Sequence, residues 1–205
     1  MKKFYSFILV CLLPVFSYGQ SLDLELYDEL YGHRNQSLDG TANFFSASVY
    51  PVAIATPLIQ ALYGLGTRDF RHTEYALQTT AGLIINTAVT YGMKHAFNRK
   101  RPYDEHPQYT PYEHDSSPSF PSGHSSYAFT TATSLSLQYK RWYVVTPAYL
   151  WASAVAYSRI HKGAHYPSDI VVGAIVGAGS AYLSYKGNQW IKSLWKKKSE
   201  QKFLN

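Results

Sequence analysis

The chain has 205 residues, a length that suits one domain with a sizeable core and leaves no room for two comfortable ones. Hydrophobic residues make up 46% and charged residues 16%, which excludes a disordered chain; the formal charge of +6 would suit an anionic lipid, a phosphorylated substrate or nucleic acid. The one cysteine, Cys11, excludes a disulfide within the chain.

Residues 1–19 read as an address or an anchor. Met1-Lys2-Lys3 is positive, the run from Phe4 to Phe16 is apolar, and Ser17-Tyr18-Gly19 places small residues three and one before a cut at Gln20. This is the layout of a bacterial secretory signal peptide, and the alternative is an uncleaved first membrane helix. In both cases the following chain starts outside the cytoplasm, in the cell envelope. Residues 20–46 form a polar lead-in with Leu22, Leu24, Leu26 and Leu30 as a weak apolar pattern, enough for a short surface helix.

Five apolar segments follow within a helical domain over 47–187, at 47–65, 76–93, 122–139, 143–158 and 170–186. They are rich in Ala, Gly, Ser and Thr, which permits close helix packing. Pro51 and Pro57 predict a kink or a late start in the first. No strand alternation interrupts them, so the expected fold is all-α: a bundle of five core helices plus the N-terminal signal or anchor helix. Residues 188–205 are a basic C-terminal tail.

A mean hydropathy of −0.23 suits a soluble protein, and the Ser and Thr of 122–139 would make a poor solitary membrane span. The charges favour membrane association. Threaded from outside, the five helices bring Arg68 and Arg71, then Lys140-Arg141, then Lys196-Lys197-Lys198 to the inside, with Trp190 and Trp195 at interface depth. Under this threading residues 94–121 and 159–169 both face out, and those stretches hold the chemistry.

Three clusters carry it. In the first, Lys94 and Arg101 lie seven apart at the end of an apolar helix; on a continued helix they would share a face and could grip a phosphate, although basic collars at helix ends are common. In the second, Pro121-Ser122-Gly123-His124 precedes a helix. Its N-terminal N–H groups and the Ser122 hydroxyl could bind an anion, Gly123 lets the backbone approach it, and His124 could give a proton to a leaving oxygen. An ordinary capped helix would look similar. In the third, His165 and Asp169 are four apart beside Arg159; the carboxylate could fix one imidazole nitrogen and leave the other nucleophilic, provided Pro167 sits in the first helical turn.

Together, Lys94-x6-Arg101-Pro102, Pro121-Ser122-Gly123-His124 and Ser158-Arg159-x5-His165-x3-Asp169 closely resemble the signature of the type-2 phosphatidic acid phosphatase family, relatives of bacterial class A acid phosphatases and vanadium haloperoxidases. The resemblance spans roughly residues 90 to 170. It implies that Lys94, Arg101, Ser122, Gly123 and Arg159 hold phosphate, that His165 is the nucleophile oriented by Asp169, and that His124 protonates the leaving alcohol. It also implies a phosphatase without metal or other cofactor, and a lipid phosphate (phosphatidate, phosphatidylglycerol phosphate, isoprenyl pyrophosphate or lipid A phosphate) as partner at the membrane. A soluble periplasmic acid phosphatase of broad specificity is the alternative, and a vanadium-dependent haloperoxidase a more distant one. No zinc-type Cys/His spacing occurs, and the basic residues cluster at helix ends and in the motifs, which does not suit nucleic acid. His95, His106, His114 and His161 read as rim residues, and the polar stretch Tyr103 to Ser119 as a lid that selects the leaving group.

Overall fold

The computed structural model describes residues 21–112 and 114–204, with side chains through 196; the leader at 1–19 lies outside the described residues. All regular structure in that range is helical. Helix α1 covers 21–32, and a short 3-10 turn, Gln36–Leu38, leads into α2 (Asp39–Thr67). Then come α3 (Phe70–Phe97), the single turn α4 (Pro102–Glu105), α5 (Gly123–Tyr139), α6 (Trp142–His161) and α7 (Pro167–Leu204). The all-α bundle of five long helices expected from the sequence is what forms.

Helix ends follow local chemistry. Asp69 caps α3 by accepting from the Arg71 N–H at 3.0 Å, and Ser122 caps α5. Asn98 and Lys140 close α3 and α5 in the left-handed conformation.

Three boundaries differ from the sequence reading. Helix α2 starts early, at Asp39, and runs through Pro51 and Pro57 instead of starting late. The lead-in therefore divides into α1 and the first two turns of α2. The residues read as a basic tail continue α7 as helix to Leu204.

Helix α5 is the hub, packed against α2, α3, α6 and α7. Its Ser125, Ser126, Ala128, Thr130, Thr131, Ala132, Thr133 and Ser134 are all buried, because small side chains let neighbouring backbones close in. The closest approach is by α7: a Cβ at Gly177 would lie 2.2 Å from the Ser126 carbonyl oxygen and one at Gly173 2.6 Å from that of Ser122. Buried polar groups pair across helices. Gln60 donates to Gln138 at 2.7 Å and accepts from Thr79 at 3.0 Å, while Asn86 and Thr90 both donate to Ser126 at 3.2 Å. The large apolar side chains point outward instead, Leu62 (70% exposed), Leu65, Leu77, Ile84, Ile175 and Leu183 among them. Among the described residues one stretch, Gln36–Thr67, is long and apolar enough to cross a membrane, with a mean hydropathy of 1.4. Only 22% of its apolar window is buried in the bundle.

Candidate active site

The C-terminal ends of α3 and α6 and the N-terminal ends of α5 and α7 meet at one end of the bundle, so the three sequence clusters converge. His165, in the turn between α6 and α7, is 1% exposed and lies at the centre. Its Nδ1 faces the Ser119 Oγ at 3.3 Å and the Asp169 Oδ2 at 3.5 Å. The Ser119 hydroxyl donates to that same Oδ2 at 2.5 Å, so its oxygen is left to accept from Nδ1–H. This fixes the tautomer and leaves the lone pair on Nε2. The Nε2 lies 3.4 Å from the Arg101 Nη1. Pro167 opens α7 as the spacing requires, and Asp169 sits in its first turn, fully buried.

Asp169 is held on every side. Its Oδ1 accepts from the Arg99 Nη1 at 2.9 Å and its Oδ2 also accepts from the Tyr166 N–H at 3.0 Å. Burial alone would raise its pKa, but these donors and the adjacent imidazole hold it below the ordinary carboxylate value. Burial is also the main influence on His165, pulling its pKa down to about 4; Asp169 works upward against it and Arg101 adds to the fall.

The cations surround this pair. Arg101 is not on the continuation of α3, because Asn98 ends that helix; it is the residue before α4. Lys94 and Arg101 therefore do not share a helix face, but they converge through the loop ahead of α5. Lys94 Nζ donates to the Pro118 carbonyl, and Arg101 Nε donates to that of Ser117 at 2.9 Å. Arg101 Nη1 also donates to Ala164 O at 2.8 Å. Arg159, at the end of α6 and fully buried, donates from Nη1 to the Ser46 Oγ at 2.6 Å. Burial, with Arg101 nearby, lowers the Lys94 pKa to about 8.

The second cluster is arranged differently from the expectation. Gly123 and His124 already belong to α5 instead of preceding it, and Pro121 stands just before its Ser122 cap. The Ser122 N–H donates to the Asp169 carbonyl at 2.9 Å, tying α5 to α7, and its hydroxyl accepts from the Ser125 hydroxyl at 3.1 Å. The space beside Gly123 is open, since a Cβ there would meet nothing within 4 Å. His124 lies in the first turn of α5, edge-on to Tyr50 with ring centroids 5.1 Å apart, and within electrostatic reach of Arg159, His165 and Arg101.

Five contributors escaped the sequence reading. Ser46 holds Arg159, and Ser119 bridges His165 to Asp169. Asp115 forms an ion pair with Arg101 Nη1 at 3.2 Å and accepts from Arg159 Nη2 at 3.0 Å, so one carboxylate spans two of the three cations. Arg99 and Asp23 stand behind Asp169, paired at 2.7 Å. Arg99 lies inside the first motif and Ser119 just ahead of the second, where a search for polar neighbours of the motifs could have found them. Nothing in the lead-in singles out Asp23. Of the rim histidines, His161 is buried and paired with Asp39 at 2.7 Å, away from solvent. Among the described residues no three His, Cys, Asp or Glu side chains gather as a metal site would need.

The sequence model of the PAP2 superfamily matches residues 75–193, more than half of the chain. The chain belongs to the PAP2 superfamily. It is a phosphatase of that helical-bundle group. The undecaprenyl-diphosphatase BcrC of Bacillus subtilis is 26% identical over 169 residues, covering 80% of this chain and 83% of that protein. The crystal structure of Aquifex aeolicus LpxE superposes with a TM-score of 0.66 at 26% identity, over 80% of this chain and 95% of LpxE. A transmembrane PAP2-type phosphatidylglycerolphosphate phosphatase from Bacillus subtilis superposes at 0.67 with 21% identity, over 85% and 88% of the two chains, which supports the shared fold.

Proposed function

We propose that this PAP2 phosphatase removes a terminal phosphate from a membrane lipid, through a phosphohistidine on His165 and with its site facing the periplasm. The observation that carries the reading is the buried imidazole whose Nδ1 side is fixed by Ser119 and Asp169 while Nε2 lies 3.4 Å from Arg101. The Nε2 lone pair forms a bond to phosphorus as the bond to the leaving oxygen breaks, and His124 gives that oxygen its proton. A water oxygen then attacks the phosphohistidine, its proton returns to His124, and the nitrogen–phosphorus bond breaks to release phosphate. Arg101, Arg159, Lys94 and the α5 N-terminus at Ser122 and Gly123 neutralise the equatorial oxygens, so the protein's own cations serve the transition state. Asp169 stabilises the charge that builds on His165.

The lipid is supported by the relatives' printed activities, an undecaprenyl diphosphate for one and a phosphatidylglycerol phosphate for another. It is also supported by the outward apolar surface of α2, α3 and α7. The bundle's helix polarity puts Arg68, Arg71, Lys140 and Arg141 at the end opposite the site, which favours an outward-facing centre. These features argue for a lipid enzyme over a soluble acid phosphatase.

The test uses the full chain purified in detergent. Phosphate release from dispersed prenyl diphosphate, phosphatidate, phosphatidylglycerol phosphate and lipid A is compared with release from an aryl phosphate. At least one lipid should exceed the aryl ester in kcat/KM, with activity kept in a chelator. Brief reaction with radiolabelled substrate should trap an acid-labile phosphoenzyme, and His165→Ala should lose both label and turnover, on the order of 1,000-fold or more. Turnover by His165→Ala near the wild-type rate would remove the nucleophile and with it the reading.

A further inference from the structure

We infer that Asp23 and Arg99, which lie outside the signature positions, form a positioning relay that holds the Asp169–His165 pair, and that helix α1 is thereby a working part of the active site. This rests on His165 being the nucleophile, as proposed above.

The relay is continuous. Asp23 Oδ2 accepts from Arg99 Nη2 at 2.7 Å, and Arg99 Nη1 donates to Asp169 Oδ1 at 2.9 Å. Asp169 Oδ2 receives the Ser119 hydroxyl, which in turn faces His165 Nδ1. One guanidinium thus bridges two carboxylates, and its planar fork suits that task better than an ammonium would. A second path runs beside it. Asp23 accepts from the Ser168 N–H at 2.8 Å and from the Ser168 hydroxyl at 2.5 Å, and that hydroxyl accepts from Arg99 Nη1 at 2.8 Å. Asp23 therefore grips the first turn of α7 from both its backbone and its side chains, immediately before Asp169.

Burial makes the arrangement matter. The Asp23 side chain is 6% exposed, that of Arg99 22% and that of Asp169 0%. The Arg99 guanidinium lies over the Tyr166 ring at 3.9 Å, and the Tyr166 hydroxyl donates to Glu105 at 3.1 Å. Exposed ion pairs contribute little, but a buried charge deprived of its partner is costly, so these groups have one arrangement available.

Independent packing fixes α1 where the relay needs it. Tyr27 and Tyr31 stack at 5.2 Å and meet Tyr109, while Tyr27 also meets Tyr166. The Tyr27 hydroxyl donates to Gly163 O at 3.3 Å, and the Tyr31 ring fills the space a Cβ on Gly163 would need. At φ +73° that residue is in a conformation that favours glycine. The turn bearing His165 is thus clasped from one side by α1.

The charges facing His165 come from every neighbouring element: Asp169 of α7, Arg101 before α4, Arg159 of α6 and His124 of α5, with Lys94 of α3 beside Arg101. The relay enters through Asp169 alone, which gives it a distinctive signature. Removing Arg99 leaves the Asp169 charge less compensated, so the imidazole binds a proton more readily. Removing Asp23 leaves the Arg99 charge unbalanced and acts in the opposite sense.

The experiment compares Asp23→Asn, Arg99→Gln, Arg99→Lys and the Asp23→Asn/Arg99→Gln pair with wild type and His165→Ala, all as full chains in detergent. Arg99→Gln should lower kcat on the order of 10- to 100-fold with little change in KM, as losing a group that orients a reacting histidine does elsewhere. The acid limb of its pH–rate profile should move to higher pH, and Arg99→Lys should recover part of both effects. Asp23→Asn should lower kcat less, with its acid limb at or below that of wild type. The double variant should share the acid limb of Arg99→Gln, because Asp23 reaches the imidazole's charge through Arg99. It should also lose less kcat than the product of the two single losses, the remainder reporting the direct grip of Asp23 on Ser168. Folded variants with wild-type kcat, or losses that follow the folded fraction at an unmoved acid limb, would overturn the relay. If His165→Ala also keeps its activity, the fault lies with the nucleophile assignment instead.

Discussion

Three groups bear on the ionisation window of the site. Burial chiefly, then Arg159, holds the His124 imidazole far below its ordinary value in the free enzyme. The proton it donates in the proposed mechanism is therefore taken up only with the phosphate dianion beside it, and His165 and Lys94 are left to set the limbs of the free site. The His165 imidazole is pulled down to about 4 chiefly by burial, so Nε2 carries its lone pair at neutral pH. In the proposed mechanism it is protonated, and lost as a nucleophile, only as the pH falls through that value. Lys94 is pulled down to about 8 by burial and by Arg101, so it loses its positive charge as the pH rises through that value. kcat/KM, which reports the free enzyme, is therefore expected to fall on the acid side near 4 and on the alkaline side near 8, once the substrate's own phosphate ionisation at about 6 is measured separately. Lys94→Arg keeps the charge at any accessible pH and should carry the alkaline limb upward while leaving the acid limb in place. An alkaline limb unmoved in Lys94→Arg would assign it to another group. At this scale the convergence of the candidate site was largely legible, because Lys94, Arg101, Ser122, Gly123, His124, Arg159, His165 and Asp169 stand at spacings with a chemical rationale. Ser119 and Asp23 carried no such mark; a serine beside a proline and an aspartate in a polar lead-in acquire their roles only from distant parts of the chain.

Between residue and molecule, the segment from α4 to α5 shows what loops add. Its Asp115 carboxylate is paired with Arg101 and Arg159, two of the cations proposed to hold phosphate. The same segment is tied down by the Tyr112 N–H to the Lys162 carbonyl at 3.1 Å and by the Tyr31 hydroxyl to the Thr110 carbonyl. Under the proposed mechanism an arriving phosphate has to displace Asp115 from both arginines. Asp115→Asn should therefore tighten competitive inhibition by inorganic phosphate or vanadate, on the order of 10-fold, about one charge-assisted contact. Unchanged inhibition constants would mean that the carboxylate does not compete. The helices themselves were legible as apolar segments without strand alternation, but their limits were not. Pro51 and Pro57 argued for a kink or a late start in α2, yet the helix starts early and runs through both, with the Thr56 hydroxyl bonded to the Val52 carbonyl nearby at 2.7 Å. In an apolar environment a continuous helix satisfies more backbone groups than a broken one does.

The molecule as a whole is built inside out, and this explains why bulk hydropathy was a poor guide to its setting. Ser, Thr, Asn and Gln fill the interior of α5 and its neighbours, where they bond to one another, so they lower the average without facing solvent. Leucine and isoleucine are displaced to the outer faces of α2, α3 and α7. In water such a surface would bring molecules together, because each exposed apolar side chain forgoes about 1.5–3 kcal/mol of burial. In a bilayer those side chains meet acyl chains, and the small residues of the interior supply the close packing that holds helices together without a hydrophobic driving force. Toward its C-terminal end helix α7 carries Lys192 and Lys196, with Trp190 and Trp195 exposed beside them, the arrangement of an interfacial collar. The full chain expressed in a bacterium should therefore sediment with membranes, stay there through high-salt and alkaline washes, and come off only with detergent. A salt wash would suffice if the attachment were electrostatic, since the Debye length shrinks to about 3 Å at 1 M. Release by osmotic shock or salt of a folded, active and monodisperse protein would overturn the membrane setting, leaving the histidine chemistry to be judged separately on soluble phosphate esters.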